Sequence, residues 1–348
     1  MYDRSCYTKE SSRGVFFAAL SGLFRGTGEI FRCLFQTREE RKLHHLRAAV
    51  PEDPAEFLGC GEETLRRMAS APETHYQKFF LWKDKKHTRK RIIEAPDKEL
   101  KRMQRRILPL LYHLAPSPYA HGFTIGRSIV SNAEVHTGKR YVVKLDLKDF
   151  FPSVTREMIE REMRELGIFS EGNRTRIETL LALCLYEGRL PQGAPTSPAI
   201  SNLVCRKLDF ILAEFARKHR MRYSRYADDL TFSSDSDDCY KMIPLIEKIV
   251  LRYGFRINPR KVNVRKRHQR QTVTGIVVNR KGCTSVPRRK RMKLRAFMHQ
   301  ILTGEIPLSK VNFARLKGHV SFVSMANTRQ GEYFQKQLEI IQKMRTGS

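Results

Sequence analysis

Apolar and polar residues alternate along Tyr141-Val142-Val143-Lys144-Leu145-Asp146-Leu147. The period of two predicts a β-strand with Val143, Leu145 and Leu147 on one face and Lys144 and Asp146 on the other. Met221–Arg225 and Leu230–Phe232 predict two more strands, joined by a tight turn at Tyr226-Ala227-Asp228-Asp229. Residues 76–96 predict a hairpin: Phe79 to Trp82 lead into the charged turn Lys83–Arg89, and Ile92 and Ile93 return from it. Thr272–Asn279 and Cys283–Val286 predict another hairpin, turning at Asn279-Arg280-Lys281-Gly282. Helical spacing marks Lys98–His113 as a basic amphipathic helix. Ser197 as N-cap and Pro198 at the first helical position open a helix whose core face is supplied by Leu203, Val204, Leu208, Ile211, Leu212 and Phe215. Asp238–Tyr253 predicts one helix, and basic helices broken near Gly304 and Pro307 follow Pro287. Near the start, Phe16, Leu20, Phe24, Ile30, Phe31, Leu34 and Phe35 predict an amphipathic helical extension that docks on the body or on another protein. It ends at Pro51, Pro54 and the Gly59-Cys60-Gly61 break. The run Val15–Phe24 is too short to span a bilayer, so no membrane partner is expected.

Charge changes the picture. The 348 residues carry 66 Lys or Arg against 36 Asp or Glu, a formal net charge of +30, which points to a polyanionic partner. The excess is uneven: Lys248 to Gly304 holds 17 Lys or Arg and no acid, so it reads as a nucleic-acid track. Seven scattered cysteines without a C-x-x-C pair argue against a zinc site and a disulfide framework, and fit a reducing cytoplasm.

Within so basic a chain the adjacent Asp228 and Asp229 stand out, because like charges side by side raise each other's pKa. A pair of divalent cations would remove that cost. Asp146, at a strand end, is the natural third ligand if the strands share a sheet. Three carboxylates around two Mg²⁺ ions are the apparatus of nucleotidyl transfer.

These residues resemble the motifs of a reverse transcriptase over roughly residues 76 to 325. Asp146-Leu147-Lys148-Asp149-Phe150-Phe151-Pro152 resembles the first catalytic motif, and Tyr226–Asp229 the Y-x-D-D signature. Pro191-Gln192-Gly193 resembles the nucleotide-positioning loop. Gly254-Phe255, Asn258 and Lys261 resemble the lysine-bearing motif, and Arg91-Ile92 with Pro96 the fingers segment facing the triphosphate. Asn132-Ala133-Glu134-Val135-His136 and Val273-Thr274-Gly275 fit the N-A-x-x-H and V-T-G motifs of bacterial retron enzymes.

The resemblance implies roles. Asp146, Asp228 and Asp229 hold the metals. Asp149 contacts the triphosphate region or caps a local turn. Phe151 occupies the sugar-gate position or simply packs in the core. Gln192 and Gly193 shape the pocket for the new base pair, and Arg91 pairs with phosphate oxygens or stays a solvated surface residue. Lys261 protonates pyrophosphate or is an ordinary phosphate contact. Asn132 and His136, four apart, would share a helix face in an RNA-related or a fold-positioning role. Thr274 and Gly275 lie near primer or template RNA, or only turn a hairpin. Arg288, Arg289 and Lys290 open the thumb.

The expected architecture is an α+β right-hand polymerase with fingers (61–140), an antiparallel-sheet palm (141–286, with fingers elements around 155–190), a helical thumb (287–348) and the helical extension (1–60). The implied function is RNA-directed DNA synthesis from dNTPs on a cognate structured noncoding RNA. Priming from an RNA 2′-hydroxyl would give branched RNA–DNA (msDNA), in antiphage defence with a separate effector protein. The rivals are a group II intron-like or other bacterial reverse transcriptase, for whose maturation region the 62 residues after Val286 leave little room, and an RNA-binding scaffold with an inactive palm.

Overall fold

The structure, a computed structural model, describes residues 50–82, 87–88, 90–114 and 117–346. The segment Phe16–Phe35 and most of the turn Lys83–Arg89 lie outside the described residues. Helices α1 (Pro54–Leu58) and α2 (Glu62–Ser70) precede a hairpin of β1 (Tyr76–Trp82) and β2 (Lys90–Pro96). Then come α3 (Lys98–His113), α4 (Ile129–Glu134), β3 (Tyr141–Asp146), α5 (Arg156–Glu165), α6 (Arg174–Ala182), α7 (Ser197–Val204) and α8 (Arg206–Lys218). The hairpin β4 (Arg222–Tyr226) and β5 (Asp229–Ser234) leads to α9 (Asp238–Lys241), α10 (Ile243–Arg252) and β6 (Asn263–Lys266). The chain continues through β7 (Thr272–Val273), β8 (Ile276–Arg280), β9 (Cys283–Ser285), α11 (Arg288–Leu302), α12 (Lys310–Ala326) and α13 (Thr328–Thr346).

The central sheet is antiparallel in the order β4-β5-β3-β6. Its two faces enter different cores, as the alternation in β3 requires. Val143, Leu145, Leu230 and Phe232 join Leu208, Leu212, Ile246 and Val250 of α8 and α10. Val142, on the opposite face, joins Val130 and Ala133 of α4, Val273 and Ile276, and Leu294, Leu316 and Phe334 of the last helices. The small sheet β7-β8-β9 therefore shares its core with the C-terminal helices.

Several boundaries differ from the sequence expectation, each for a local reason. Thr196, not Ser197, precedes α7, because the Ser197 hydroxyl donates to Pro191 O at 2.8 Å and closes the preceding loop instead of capping the helix. That helical run divides at Cys205 into α7 and α8. Asp238–Tyr253 divides too, because Pro244 in the first turn of α10 has no N–H to continue α9. Thr272–Asn279 is not one strand: Thr274 (φ 47°) and Gly275 (φ 82°) form a two-residue turn, so a three-stranded meander replaces the hairpin. The expected break at Gly59 is present, a left-handed C-cap of α1 at φ 61°. No helix among the described residues is long and apolar enough to cross a membrane.

Candidate active site

Tyr226 pairs with Asp229, so Ala227 and Asp228 form a two-residue turn and Asp229 opens β5. Ala227 lies at φ 56°, a left-handed conformation that a Cβ makes costly. Two contacts support it. Gly122 lies flush against the turn, where a Cβ would stand 2.5 Å from Ala227 N. Arg225 donates to Ala227 O at 3.2 Å. This arginine is wholly buried, donating to Asp209 Oδ1 and Oδ2 at 2.8 and 2.7 Å and to Asn202 Oδ1 at 3.0 Å. The Tyr223 hydroxyl donates to the same Asp209 at 2.7 Å. The turn thus rests on a buried ionic platform carried by α7 and α8.

Strand β3 pairs with β5 so that its last residue, Asp146, stands opposite Asp229. Leu147 N donates to Asp228 O at 2.9 Å, tying the exit of β3 to the turn. As a result carboxylate oxygens of Asp146, Asp228 and Asp229 lie within 4.8 Å of one another. Lys261 Nζ donates to Asp146 Oδ2 at 2.6 Å. Burial, then the Asp146 charge, raises Asp228 above the usual carboxylate range. Partial desolvation and the charges of Asp228 and Asp146 push Asp229, which still reaches solvent, up to about 6. Three hard oxygen donors converging with excess negative charge suit a divalent cation of the Mg²⁺ class.

The other nucleotide-site candidates are placed by local contacts. Arg91 lies on exposed β2, near enough that its charge opposes the rise at Asp228. Glu94 N donates to Gln192 O at 2.9 Å, and a Cβ on Gly193 (φ 149°) would stand 2.7 Å from Glu94 O. The loop therefore lies directly on the backbone of β2. Buried Glu94 accepts both Arg189 bonds, at 3.0 and 2.7 Å, and fixes that junction. Phe151 is half-buried, its ring 5.4 Å from Phe150 and 6.2 Å from Phe123. Asp149 is exposed in the turn after β3 at φ 48°.

Other expected residues lie elsewhere. Asn132 and His136 are fully buried, and His136 follows α4 rather than sharing a face with Asn132 on it. A direct side-chain contact with RNA is closed to both as folded; the positioning half of the expectation is what their burial allows. The Thr274 hydroxyl donates to Ile129 O at 2.6 Å, and Gly275 faces open space. Arg288, Arg289 and Lys290 are exposed at the start of α11. Sequence reasoning missed Gly122, Asn202, Asp209 and Arg225. The available signal was Arg225 itself, a charge sharing a strand face with Met221 and Tyr223.

The raised carboxylates give a pH test. Asp229 keeps its proton to about pH 6 when folded but only to about pH 4 when unfolded. Stability from this group is therefore present at low pH and lost as pH rises from about 4 to 6. Divalent ions reverse the loss only where the carboxylates are ionised. Mg²⁺ is expected to raise Tm by about 2–4 °C or more at pH 8 and by little at pH 5. An equal gain at both pH values, read by calorimetry, would contradict the assignment.

The family described as reverse transcriptase (RNA-dependent DNA polymerase) matches residues 83–278. Retron Mx65 reverse transcriptase of Myxococcus xanthus is 38% identical over 301 residues, covering 81% of this chain and 69% of that protein. Retron Mx162 reverse transcriptase of the same organism is 36% identical over 319 residues, covering 82% and 65%. Retron Ec86 reverse transcriptase of Escherichia coli is 32% identical over 269 residues, covering 77% and 81%. The chain belongs to the reverse transcriptases, the RNA-directed DNA polymerases, and within them to the retron enzymes. That family has the right-hand polymerase fold, and the intron-type and inactive-scaffold readings give way to it.

Proposed function

We propose that this reverse transcriptase copies a cognate structured noncoding RNA, starting from a 2′-hydroxyl of that RNA, and leaves a branched RNA–DNA product. The setting is a reducing cytoplasm, and the role is antiphage defence alongside an effector protein. The observation that carries the catalytic part is the convergence of Asp146, Asp228 and Asp229 within 4.8 Å. Kinship with retron enzymes supports the branched product. Two Mg²⁺ ions held by these carboxylates would lower the pKa of the priming hydroxyl and neutralise charge gathering on the triphosphate.

The chain's own groups supply the rest. Arg91 and the Gln192-Gly193 loop, locked together through Glu94, orient the incoming dNTP as one unit. Phe151, backed by Phe150 and Phe123, takes the place beneath the sugar where a 2′-hydroxyl would clash. Lys261, bonded to Asp146, stabilises or protonates the leaving pyrophosphate once released from that carboxylate. Asp149 stands at the triphosphate side. Residues 61–140 serve as fingers, 141–286 as palm and 287–348 as thumb, with Arg288, Arg289 and Lys290 on duplex phosphates, and Thr274 and Gly275 near the primer or template RNA.

The test is the nucleic acid that copurifies with the chain expressed from its native locus. DNA joined to RNA and freed by a 2′,5′-debranching enzyme is expected. Unbranched cDNA with an ordinary 3′-primed start would refute the priming scheme.

A further inference from the structure

The polar face of the central sheet carries the carboxylates at one end and a buried hydrogen-bond chain further back, in which Asn132 Nδ2 is left without a partner among the described residues. Ser224 of β4 and Ser233 of β5 both point to this face, and both are fully buried. His136 bridges them: Nε2 meets Ser224 Oγ at 2.8 Å and Nδ1 meets Ser233 Oγ at 2.7 Å. The Ser224 hydroxyl in turn donates to Asn132 Oδ1 at 2.7 Å. With Asn132 as acceptor the protons run Ser233 to Nδ1, Nε2–H to Ser224 and Ser224 to Asn132, and with its amide turned over they run the other way; in both cases His136 is bonded at both ring nitrogens. One neutral imidazole therefore joins both strands of the hairpin whose tip is Asp228-Asp229. Burial holds His136 neutral, with its pKa lowered to about 3, so the chain does not switch with pH.

The same segment is gripped from its other side. Helix α4 packs against β7, β8 and β9 as well as against β4. Thr274 is a β-branched residue at φ 47°, held there by its 2.6 Å bond to Ile129 O. Beyond the helix, Gly138 N donates to Val278 O at 2.8 Å and Gly282 N to Thr137 Oγ1 at 3.3 Å. The N-A-x-x-H and V-T-G motifs, far apart in sequence, are thus two sides of one packed junction.

We propose that Asn132–His136 is a clamp that sets the position of the Asp228-Asp229 hairpin relative to Asp146, with His136 as the positioning residue, and that the Thr274 turn is hung on the same clamp. The proposal rests on the reading of the three carboxylates as the metal centre. A polar network of this kind fixes geometry where apolar packing would permit sliding, since each buried serine or imidazole nitrogen left unpaired is costly. The thumb-side sheet and the catalytic hairpin then share a single mechanical reference.

The experiment uses the full chain with His136→Gln, Ser233→Ala and Thr274→Val, singly, and with His136→Gln and Thr274→Val combined. Mn²⁺ binding is followed by electron paramagnetic resonance, RNA affinity by filter retention, and single-turnover rate against Mg²⁺. The clamp predicts a metal constant weakened about 10-fold by His136→Gln, the lower end of the effect of removing groups that orient metal ligands. It predicts a smaller shift for Ser233→Ala and an RNA affinity within about twofold of wild type. The combined variant should fall short of the product of its single effects, because both changes loosen one junction. Loss of RNA affinity with an unchanged metal constant would make the motif an RNA contact and overturn the proposal. So would a lowered Tm with neither constant moved. If His136→Gln does not fold, Ser233→Ala decides by the same readouts. Asp228→Asn serves as control: if it leaves Mn²⁺ binding intact, the metal-centre reading fails, not the clamp.

Discussion

Replacing Asp228 and Asp229 together by alanine is expected to lower DNA synthesis by about 10³-fold or more while RNA affinity stays within about twofold of wild type. The magnitude follows from removing preorganised charge from a reacting centre, where even one such group is worth about 10²–10³. Asp146 alone, already bonded to Lys261 at 2.6 Å, cannot replace them, because the ammonium would then neutralise the one carboxylate left. RNA affinity depends instead on the dispersed cations of a chain carrying a net charge of +30, and the substitutions remove none of these. The same change should raise the Tm of the metal-free protein at pH 8, since two carboxylates held above their usual range no longer repel. Wild-type extension by the double variant would end the catalytic assignment.

Arg225→Ala is expected to cost about 3–5 kcal/mol of stability, the scale for stripping one partner from a buried ion pair. It leaves Asp209 in the core with Tyr223 as its one side-chain donor among the described residues, and frees Asn202 Oδ1 and Ala227 O of a bond each. Calorimetry should show the largest loss of any substitution in the hairpin strands. The companion variant, Arg225→Met with Asp209→Leu, separates stability from position. It should recover part of the loss, since apolar pairs replace buried ion pairs well while the Tyr223 hydroxyl and Asn202 Oδ1 stay unpaired. DNA synthesis should stay impaired, because the Ala227 turn at φ 56° has still lost its support. A fully active double variant would show that the platform serves stability alone.

Local periodicity makes β3 and the β4–β5 hairpin legible in the amino-acid sequence, and the adjacency of Asp228 and Asp229 makes the site legible with them. Pairing of Asp146 with Asp229 needs the strands to be antiparallel neighbours in one register, which their shared apolar face fixes to within a pair. What stays hidden depends on contacts distant in sequence. Nothing local in Asp209 says that it faces Arg225 from another element. Nothing in Ser224 or Ser233 says that one histidine spans them from nearly a hundred residues away. The Thr274-Gly275 turn escapes for a different reason. Thr274 and the β-branched residues around it favour strand, so the positive φ enforced by the bond to Ile129 leaves only Gly275 as its compositional trace. The Ser197 cap fails likewise, because its hydroxyl has a better partner across the loop.

The most direct measurement is single-turnover incorporation of one deoxynucleotide by the wild-type chain on an RNA template, with its ribonucleotide counterpart alongside, as Mg²⁺ is titrated at pH 8. Saturable, Mg²⁺-dependent addition of the deoxynucleotide, with the ribonucleotide strongly disfavoured, is the predicted result. Addition without a divalent ion, or none on RNA at any Mg²⁺ concentration, would contradict the carboxylate triad as the centre of RNA-directed DNA synthesis.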